Sequence, residues 1–401
     1  MKPQKLTNLL WRKINQSEVN SIDLSFFPKN SAVVGGFIRD TLLQRDEFCS
    51  DIDFIIPKNA INVAKKINTI KGGKLIILDQ DRDIARLVFE ELILDFASLQ
   101  ANSLEEDLKK RDFTINSIAL VLNQKPYFLD PTQGIDSLKQ FELKTFKFKS
   151  LIEDPARIIR AFRFMSELDF KIEKNTLNFL IANSYSLNKV APERIKTEIV
   201  KLIHGASAIK AIHLINQENI MHQWQNNKTF CKDILSGLNF DLLNNSEKNI
   251  AFPIIYLTNI LSDQGLVLLR FSNNEIKKCR NYRKWIFKVK ESSIFSLTDM
   301  ERFQLHKELE EILPAIIVHL DRSSQQEWID RWRDPFDSLF HPRCPVDGEA
   351  LKEVLGLSEG PKIGALMRYM TIENAYGRIK NYEQSLVIAS DWIQQNSQYY
   401  D

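Results

Sequence analysis

Cysteine is scarce in this chain: Cys49, Cys231, Cys279 and Cys344 are the only four in 401 residues, and no two form a Cys-x-x-Cys pair. That spacing argues against a zinc cage or a disulfide framework and points to a reducing, cytoplasmic setting. An excess of one charge is missing too. The 54 Lys and Arg against 52 Asp and Glu leave a formal net charge of +2, so nucleic-acid contacts would have to come from local basic patches. Apolar stretches such as residues 250–261 carry polar breaks and are too short to span a bilayer, and the N-terminus has no apolar signal core. Residues 1–13 are basic and predict a short first helix, with an organelle transit role as the alternative. Neither tandem repeats nor long low-complexity tracts occur.

What is present is an ordinary globular composition, 44% apolar, in a chain long enough for roughly two to four packed units. Up to residue 146 strand-like segments at 32–34, 52–56, 75–78, 85–89 and 92–97 are interspersed with helical ones at 38–44 and 60–67. After Pro155 strand alternation nearly disappears, and helical spacing takes over at 158–168, 176–182 and 192–203. The Asn-rich stretch 226–249 predicts a loop or boundary, and a further set of turn and helix signals starts near 331. The fold class expected is α+β, a mixed α/β head followed by an all-helical remainder.

Two glycines precede two carboxylates in one predicted strand-helix-strand unit. Gly35-Gly36 removes Cβ atoms where backbone must approach a ligand, and Arg39 follows in the next helix. In Asp51-Ile52-Asp53-Phe54 the alternation of a strand puts both carboxylates on one face and both apolar side chains into the core. Two hard oxygen donors suit Mg²⁺, which takes a few carboxylates plus phosphates and water. Asp95, alone among apolar residues 92–97, is either a third carboxylate of this site or a partner for a backbone N–H or an arginine. The cluster Lys109-Lys110-Arg111-Asp112-Phe113-Thr114-Ile115-Asn116 has the chemistry to hold a ribose and its phosphates, Asp112 accepting from a hydroxyl, Arg111 neutralising phosphate and Asn116 bonding either one. Its alternative is a helix start with solvated charges.

The segment from Glu153-Asp154-Pro155 to Arg163-Phe164 is the next informative feature. Pro155 fits a first helical position, which makes Asp154 the expected N-cap. Asp154 and Arg157, three apart, also set an acceptor beside a donor. Cytosine and adenine each show an amino donor next to a ring-nitrogen acceptor, whereas guanine and uracil put a carbonyl where the amino group should be. Such a pair would accept CTP and ATP and reject GTP and UTP, because an unpaired buried polar group costs about 1–3 kcal/mol. Arg157, Arg160 and Arg163 recur every third residue, as a stripe for triphosphate or RNA or as a solvated face. Trp328, Arg331 and Trp332 read as core and rim.

Taken in order, Gly35-Gly36-x-x-Arg39-Asp40, Asp51-x-Asp53, Arg111-Asp112-x-x-x-Asn116, Asp130-Pro131-x-x-Gly134, Glu153-Asp154-x-x-Arg157 and Glu193-Arg194-Ile195 resemble the motifs of class II CCA-adding tRNA nucleotidyltransferases and bacterial poly(A) polymerases. The resemblance covers residues 33–203. It implies a nucleotidyltransferase head over 1–146, a helical neck with the base-reading pair over 147–206, a helical body over 207–330 and a tRNA-binding helical tail over 331–401. It also implies two Mg²⁺ ions on Asp51 and Asp53, ribose contacts from Arg111 and Asp112, and base contacts from Asp154 and Arg157. The implied activity is template-independent transfer of CMP, AMP or both from CTP and ATP to the 3′ end of tRNA, with no membrane or protein partner implied. Narrower alternatives are a C-only adder, an A-only adder or a poly(A) polymerase, and members of the family with these specialities differ mainly between the carboxylates and the ribose motif, here 71–91. A noncatalytic RNA-binding protein on the same scaffold is the alternative from a different class. Lys110 stands where the family has arginine, keeping charge but losing a bidentate fork, and Ser137 stands where aspartate is common. Gly360, Lys362 and Gly364 resemble tail segments and offer a helix start to an RNA phosphate. None of the six histidines is followed by Asp, so the His-Asp phosphohydrolase activity of some relatives is not expected.

Overall fold

A computed structural model describes residues 1–15, 22–45, 51–225, 235, 237–291, 296–357 and 360–396. Cys49 and Cys231 lie outside the described residues, while Cys279 and Cys344 are free thiols. The chain divides into two compact units, Met1–Ala211 with Glu218–Ile220, and Ile212–Gln217 with Met221–Asp401.

The first unit runs α1 (Pro3–Ile14), β1 (Ser31–Val34), α2 (Gly36–Leu42), β2 (Asp51–Ile56), α3 (Ala60–Lys71), β3 (Lys74–Asp79), β4 (Ile84–Val88), β5 (Ile93–Ser98) and α4 (Leu104–Leu108). It continues with β6 (Ala119–Leu122), β7 (Tyr127–Leu129), α5 (Gly134–Gln140), β8 (Glu142–Leu143), α6 (Phe148–Glu153), α7 (Ala156–Leu168), β9 (Lys171–Ile172), α8 (Lys174–Ala182) and α9 (Pro192–Ile203). Strands β1 to β7 form one mixed sheet in the order β3-β4-β5-β2-β1-β6-β7. Every neighbouring pair in it is antiparallel except β2 with β5.

Alternation divides the work of the two sheet faces. Ile52, Phe54 and Ile56 are buried, and Phe54 is the middle of an aromatic stack, 5.0 Å from Phe27 and 5.1 Å from Phe96. On the other face Ala32, Val34, Ile55, Ala119 and Val121 pack with Leu108 of α4. Asp51 and Asp53 share that second face but lie beyond the packed cluster, where the sheet stays open.

Helix α7 begins at Ala156 with Pro155 in the capping position, which corrects the expected N-cap. The Asp154 carboxylate instead accepts from Arg194. Helices α7 and α9 join through apolar faces that include Ile158, Phe162, Ile195 and Ile199, all fully buried. Small contacts fix the turns leading to the site. Asp130 accepts from Gly134 N at 2.7 Å and Ile135 N at 2.9 Å, satisfying the start of α5.

The second unit is helical. The stretch 226–249 falls partly outside the described residues, but from Asn245 it is helix, not loop. Asn244 accepts from Glu247 N at 3.0 Å and donates its own backbone N–H to the Glu247 carboxylate at 2.8 Å, a reciprocal cap that starts Asn245–Ile260. Trp328 is buried, as expected of core. It packs 4.9 Å from His306, which lies in the helix Asp299–Leu309 and also contacts Phe340 at 4.0 Å. Among the described residues neither ring nitrogen of His306 has a hydrogen-bond partner.

Burial, with Arg331, Arg302 and His341 adding to it and Asp337 opposing, pulls the His306 pKa from 6.5 down to about 3. The folded form stays neutral while the unfolded chain takes a proton below about pH 6.5. The stability that His306 contributes is therefore complete above that pH and is lost as pH falls toward 3. Between pH 7 and pH 5 the loss is about 2 kcal/mol. Hydrogen exchange in the helices Asp299–Leu309 and Arg322–Arg333 is expected to quicken, beyond its intrinsic pH dependence, over that window, and His306→Leu to remove the effect. Exchange equally pH-sensitive in the variant would show that another group titrates.

Candidate active site

The parallel pairing of β2 with β5 sets Asp95 opposite Asp53 in register, so three carboxylates, Asp51, Asp53 and Asp95, share one face of adjacent strands. Val34 pairs with Asp53, which brings the following residue, Gly35, against that carboxylate. Gly35 has φ +74°, and a Cβ on it would stand 2.8 Å from Asp53 Oδ2 and 3.5 Å from Arg111 Nη1. Both the backbone conformation and the close approach therefore require glycine here.

These groups line a cavity of about 370 Å³. Of the residues singled out in the sequence, Gly35, Gly36, Arg39, Asp51, Asp53, Asp95, Arg111, Asp112, Asn116, Arg160 and Arg163 meet in its walls. Asp154 and Arg157 do not line it. Gly360, Lys362 and Gly364 belong to the second unit, at the start of the helix Pro361–Ala375.

Burial raises the Asp53 pKa above the ordinary carboxylate value; Arg111 opposes this, while Asp95 and Asp51 add to it. Asp51, Asp53 and Asp95 thus place like charges close together, the setting a divalent cation relieves. Among the described residues no group of three or more His, Cys, Asp or Glu side chains is arranged to hold an ion. The donor set fits Mg²⁺ of the open kind, completed by water and phosphate oxygens. Asp95 is gripped in the plane of its carboxylate by Arg86, whose Nε and Nη2 each donate at 2.7 Å. The arginine partner considered for Asp95 is thus present on β4, and a metal would have to share this carboxylate with it.

Asp112 is buried, and its surroundings explain why it remains charged. Burial alone would raise its pKa. Arg160, the Asn116 amide, the Phe113 N–H and Arg157 together hold it below the ordinary value. Arg160 Nε stands 2.8 Å from Asp112 Oδ2, Asn116 Nδ2 donates to Oδ1 at 3.0 Å, and Arg39 Nη1 donates to Asn116 Oδ1 at 3.0 Å. Arg39 is itself held by Asp40. One connected network therefore runs from α2 to α7, and the reading of 109–116 as a solvated helix start does not apply to its buried part.

The arginines of α7 likewise do not form a solvated face. Arg163 pairs with Glu198 at 3.0 Å and lies 4.3 Å from the Phe164 ring centre, while Arg39 and Arg160 approach the same ring at 5.0 and 5.3 Å. Arg157, one turn before Arg160, donates to the carbonyls of Lys110 and Ser150 at 3.0 and 3.2 Å, with Asp154 at 3.9 Å. Arg194 Nη2 bonds both oxygens of Asp154 at 3.0 and 2.9 Å.

Glu198, Lys201 and Phe164 also line the cavity and were not singled out in the sequence. The signal for two of them was there: Arg194, Glu198 and Lys201 recur at i, i+4 and i+7 on α9, away from the buried Ile195, Ile199 and Leu202.

Residues 31–144 match the poly(A) polymerase head domain, and residues 169–226 match a probable RNA-binding and SrmB-binding site of polymerase A. A CC-adding tRNA nucleotidyltransferase from Synechocystis sp. is 27% identical over 92% of this chain and 95% of its own. An A-adding tRNA nucleotidyltransferase from Halalkalibacterium halodurans is 26% identical over 91% of this chain and 89% of its own. The fold is shared with the CCA-adding enzyme of Thermotoga maritima, solved in complex with tRNA, at a TM-score of 0.71 and 20% identity, covering 98% of this chain and 99% of that one. The relatives that align over most of the chain are tRNA nucleotidyltransferases. Over most of its length the chain is similar to tRNA nucleotidyltransferases of the CCA-adding enzyme and poly(A) polymerase family. Among the described residues no helix is long and apolar enough to cross a membrane.

Proposed function

We propose that this chain lengthens the 3′ end of tRNA by transferring CMP, AMP or both from CTP and ATP, without a nucleic-acid template. The observation that carries the reading is the meeting of Asp51 and Asp53 with Arg111 and the Asp112 network in a single cavity. Asp51 and Asp53 are the residues that would hold two Mg²⁺ ions, which when bound supply charge for activating the tRNA hydroxyl and stabilising pyrophosphate. Arg111 offers charge to the phosphates, and Asp112, held ionised, offers an acceptor to the ribose. Asp154 and Arg157 are the base readers, with Arg194 fixing the carboxylate and the Lys110 and Ser150 carbonyls fixing the guanidinium. We assign residues 1–146 to a head and 147–206 to a neck, both in the first unit, and 207–330 and 331–401 to a body and a tRNA-gripping tail, where Gly360, Lys362 and Gly364 would meet a phosphate.

Within this reading C addition is favoured. The turn between β3 and β4 spans only residues 80–83 and is tied down on several sides. Asp83 accepts from Ala60 N at 2.7 Å, Ile61 N at 2.9 Å and the Ser98 hydroxyl, and Gln100 donates to the Arg82 carbonyl at 2.8 Å. A turn so fixed lies in the segment where C-adding and A-adding relatives differ, and it leaves little slack for reshaping a base pocket between nucleotides. The CC-adding activity of the Synechocystis relative agrees.

The test supplies three tRNAs, ending before the first C, after one C and after both, with labelled CTP and ATP separately and together. Two C additions and no A are expected. Growth by CCA would widen the reading to full addition, A alone on the last substrate would make the chain an A-adder, and long A tracts on unrelated RNA would overturn it for poly(A) synthesis. With labelled UTP added to the assay, Asp154→Ala is expected to erode the preference for CTP over UTP by about 10- to 100-fold. An unchanged preference would remove Asp154 from base reading.

A further inference from the structure

Charge pairing inside the cavity leaves a remainder. Arg39 is matched by Asp40 at 2.7 Å, Arg160 by Asp112 at 2.8 Å and Arg163 by Glu198 at 3.0 Å, and Asp95 is taken by Arg86. Arg111 pairs with Asp107 at 3.7 Å and its charge also acts on Asp53, while its enclosed Nε, like those of Arg160 and Arg163, has no hydrogen-bond partner among the described residues. Lys201 of α9 lines the same cavity. Its charge acts on Glu167, but among the described residues no carboxylate lies within ion-pair distance of it. Lys201 is therefore left without a carboxylate at ion-pair distance among the described residues, in the cavity whose walls also carry Asp51, Asp53 and Arg111.

We propose that Lys201 is a substrate-binding residue that holds the distal phosphates of the incoming nucleoside triphosphate, opposite the metal-binding carboxylates. The inference rests on the nucleotidyl-transfer reading above. A polyphosphate answers both halves of the cavity at once, because its oxygens complete the shell of a divalent cation on one side and accept from ammonium and guanidinium on the other. The fold gives Lys201 a freedom that Arg163 lacks. Arg163 is buried and stapled to Glu198 and Glu167, so it joins α7 to α9 and forms wall. Lys201, one turn beyond Glu198, is exposed. It carries its charge on a flexible stem that loses little hydration before the ligand arrives. When the tRNA hydroxyl oxygen gives its proton to solvent water and bonds the α-phosphorus, the bond from that phosphorus to the bridging oxygen breaks, the electron pair leaves with pyrophosphate, and Lys201 neutralises that charge.

The experiment uses the full chain with Mg²⁺, the variants Lys201→Ala and Lys201→Arg, and a tRNA lacking its CCA end. CMP incorporation is measured with CTP and tRNA varied in turn, and CTP and CMP binding is measured by calorimetry. Lys201→Ala is expected to raise the KM for CTP by about tenfold or more while leaving the KM for tRNA unchanged. It should weaken CTP but not CMP, and Lys201→Arg should restore most of the loss. An unchanged KM for CTP overturns the proposal. So does a rise confined to the KM for tRNA, which would mean an RNA phosphate contact, and so does an equal loss of CTP and CMP, which would mean a structural role. Absence of incorporation by the wild-type chain on every tRNA would defeat the functional reading instead, and the CTP-to-CMP comparison would still decide the role of Lys201.

Discussion

Asp53→Asn is expected to abolish nucleotide incorporation, by about a thousandfold or more, without weakening the fold. The loss follows from position. Asp53 sits with Asp51 on the open face of the sheet and against Gly35, and removing its charge removes one of the two carboxylates that would hold the metal ions, whose charge stabilisation is worth several kcal/mol. The intact fold follows from the same geometry. Burial and the neighbouring Asp95 and Asp51 act against ionisation of Asp53, with Arg111 and Arg160 opposing them. An isosteric neutral amide relieves that repulsion, so in metal-free buffer the thermal midpoint should not fall. This is the expected pattern of a residue that serves function at some expense of stability. Incorporation within tenfold of wild type would remove Asp53 from catalysis. A large fall in the midpoint would mean that the loss of activity reports unfolding.

Gly134→Ala is expected to do the reverse, damaging the fold first and the activity as a consequence. A Cβ at Gly134 would overlap the Thr114 carbonyl oxygen and stand 2.8 Å from Ile118 Cγ1 and 2.9 Å from the Thr114 carbonyl carbon. Backbone cannot yield as a flexible side chain can, so α5 or the turn Thr114–Asn116 must move, at a cost of about 3 kcal/mol. For a unit of this size that is a drop of roughly 6–12 °C in thermal midpoint. The turn is also what aims Asn116 at Asp112 and Arg39. At temperatures where the variant remains folded, the KM for nucleotide should therefore rise. A midpoint within 2 °C of wild type would show that α5 can slide freely, contrary to the packing.

Much of the first unit follows from short-range pattern. The strand at 31–34, the alternation of Asp51 to Phe54 and the helix Pro192–Ile203 each depend on local periodicity and turn chemistry, which the chain states directly. Element boundaries moved where a long-range partner intervened. Asp154 was expected to cap α7, but Arg194, 40 residues away, takes its carboxylate, and the helix starts beyond Pro155. The Asn-rich tract looked like loop by composition, yet the pairing of Asn244 with Glu247 starts a helix inside it.

By itself the sequence determined the acidic pair, the glycines before it, the ordered motifs and the α+β class, because alternation, helical spacing and glycine's freedom act over a few residues. Only the tertiary structure decided which charges remain available. The register of β2 and β4 with β5 placed Asp95 between Asp53 and Arg86, and the packing of α7 against α9 joined Arg163 to Glu198 and left Lys201 facing the cavity. Those pairings join residues distant in sequence. Their partners are chosen by strand order and helix contact, which no local pattern of residues encodes.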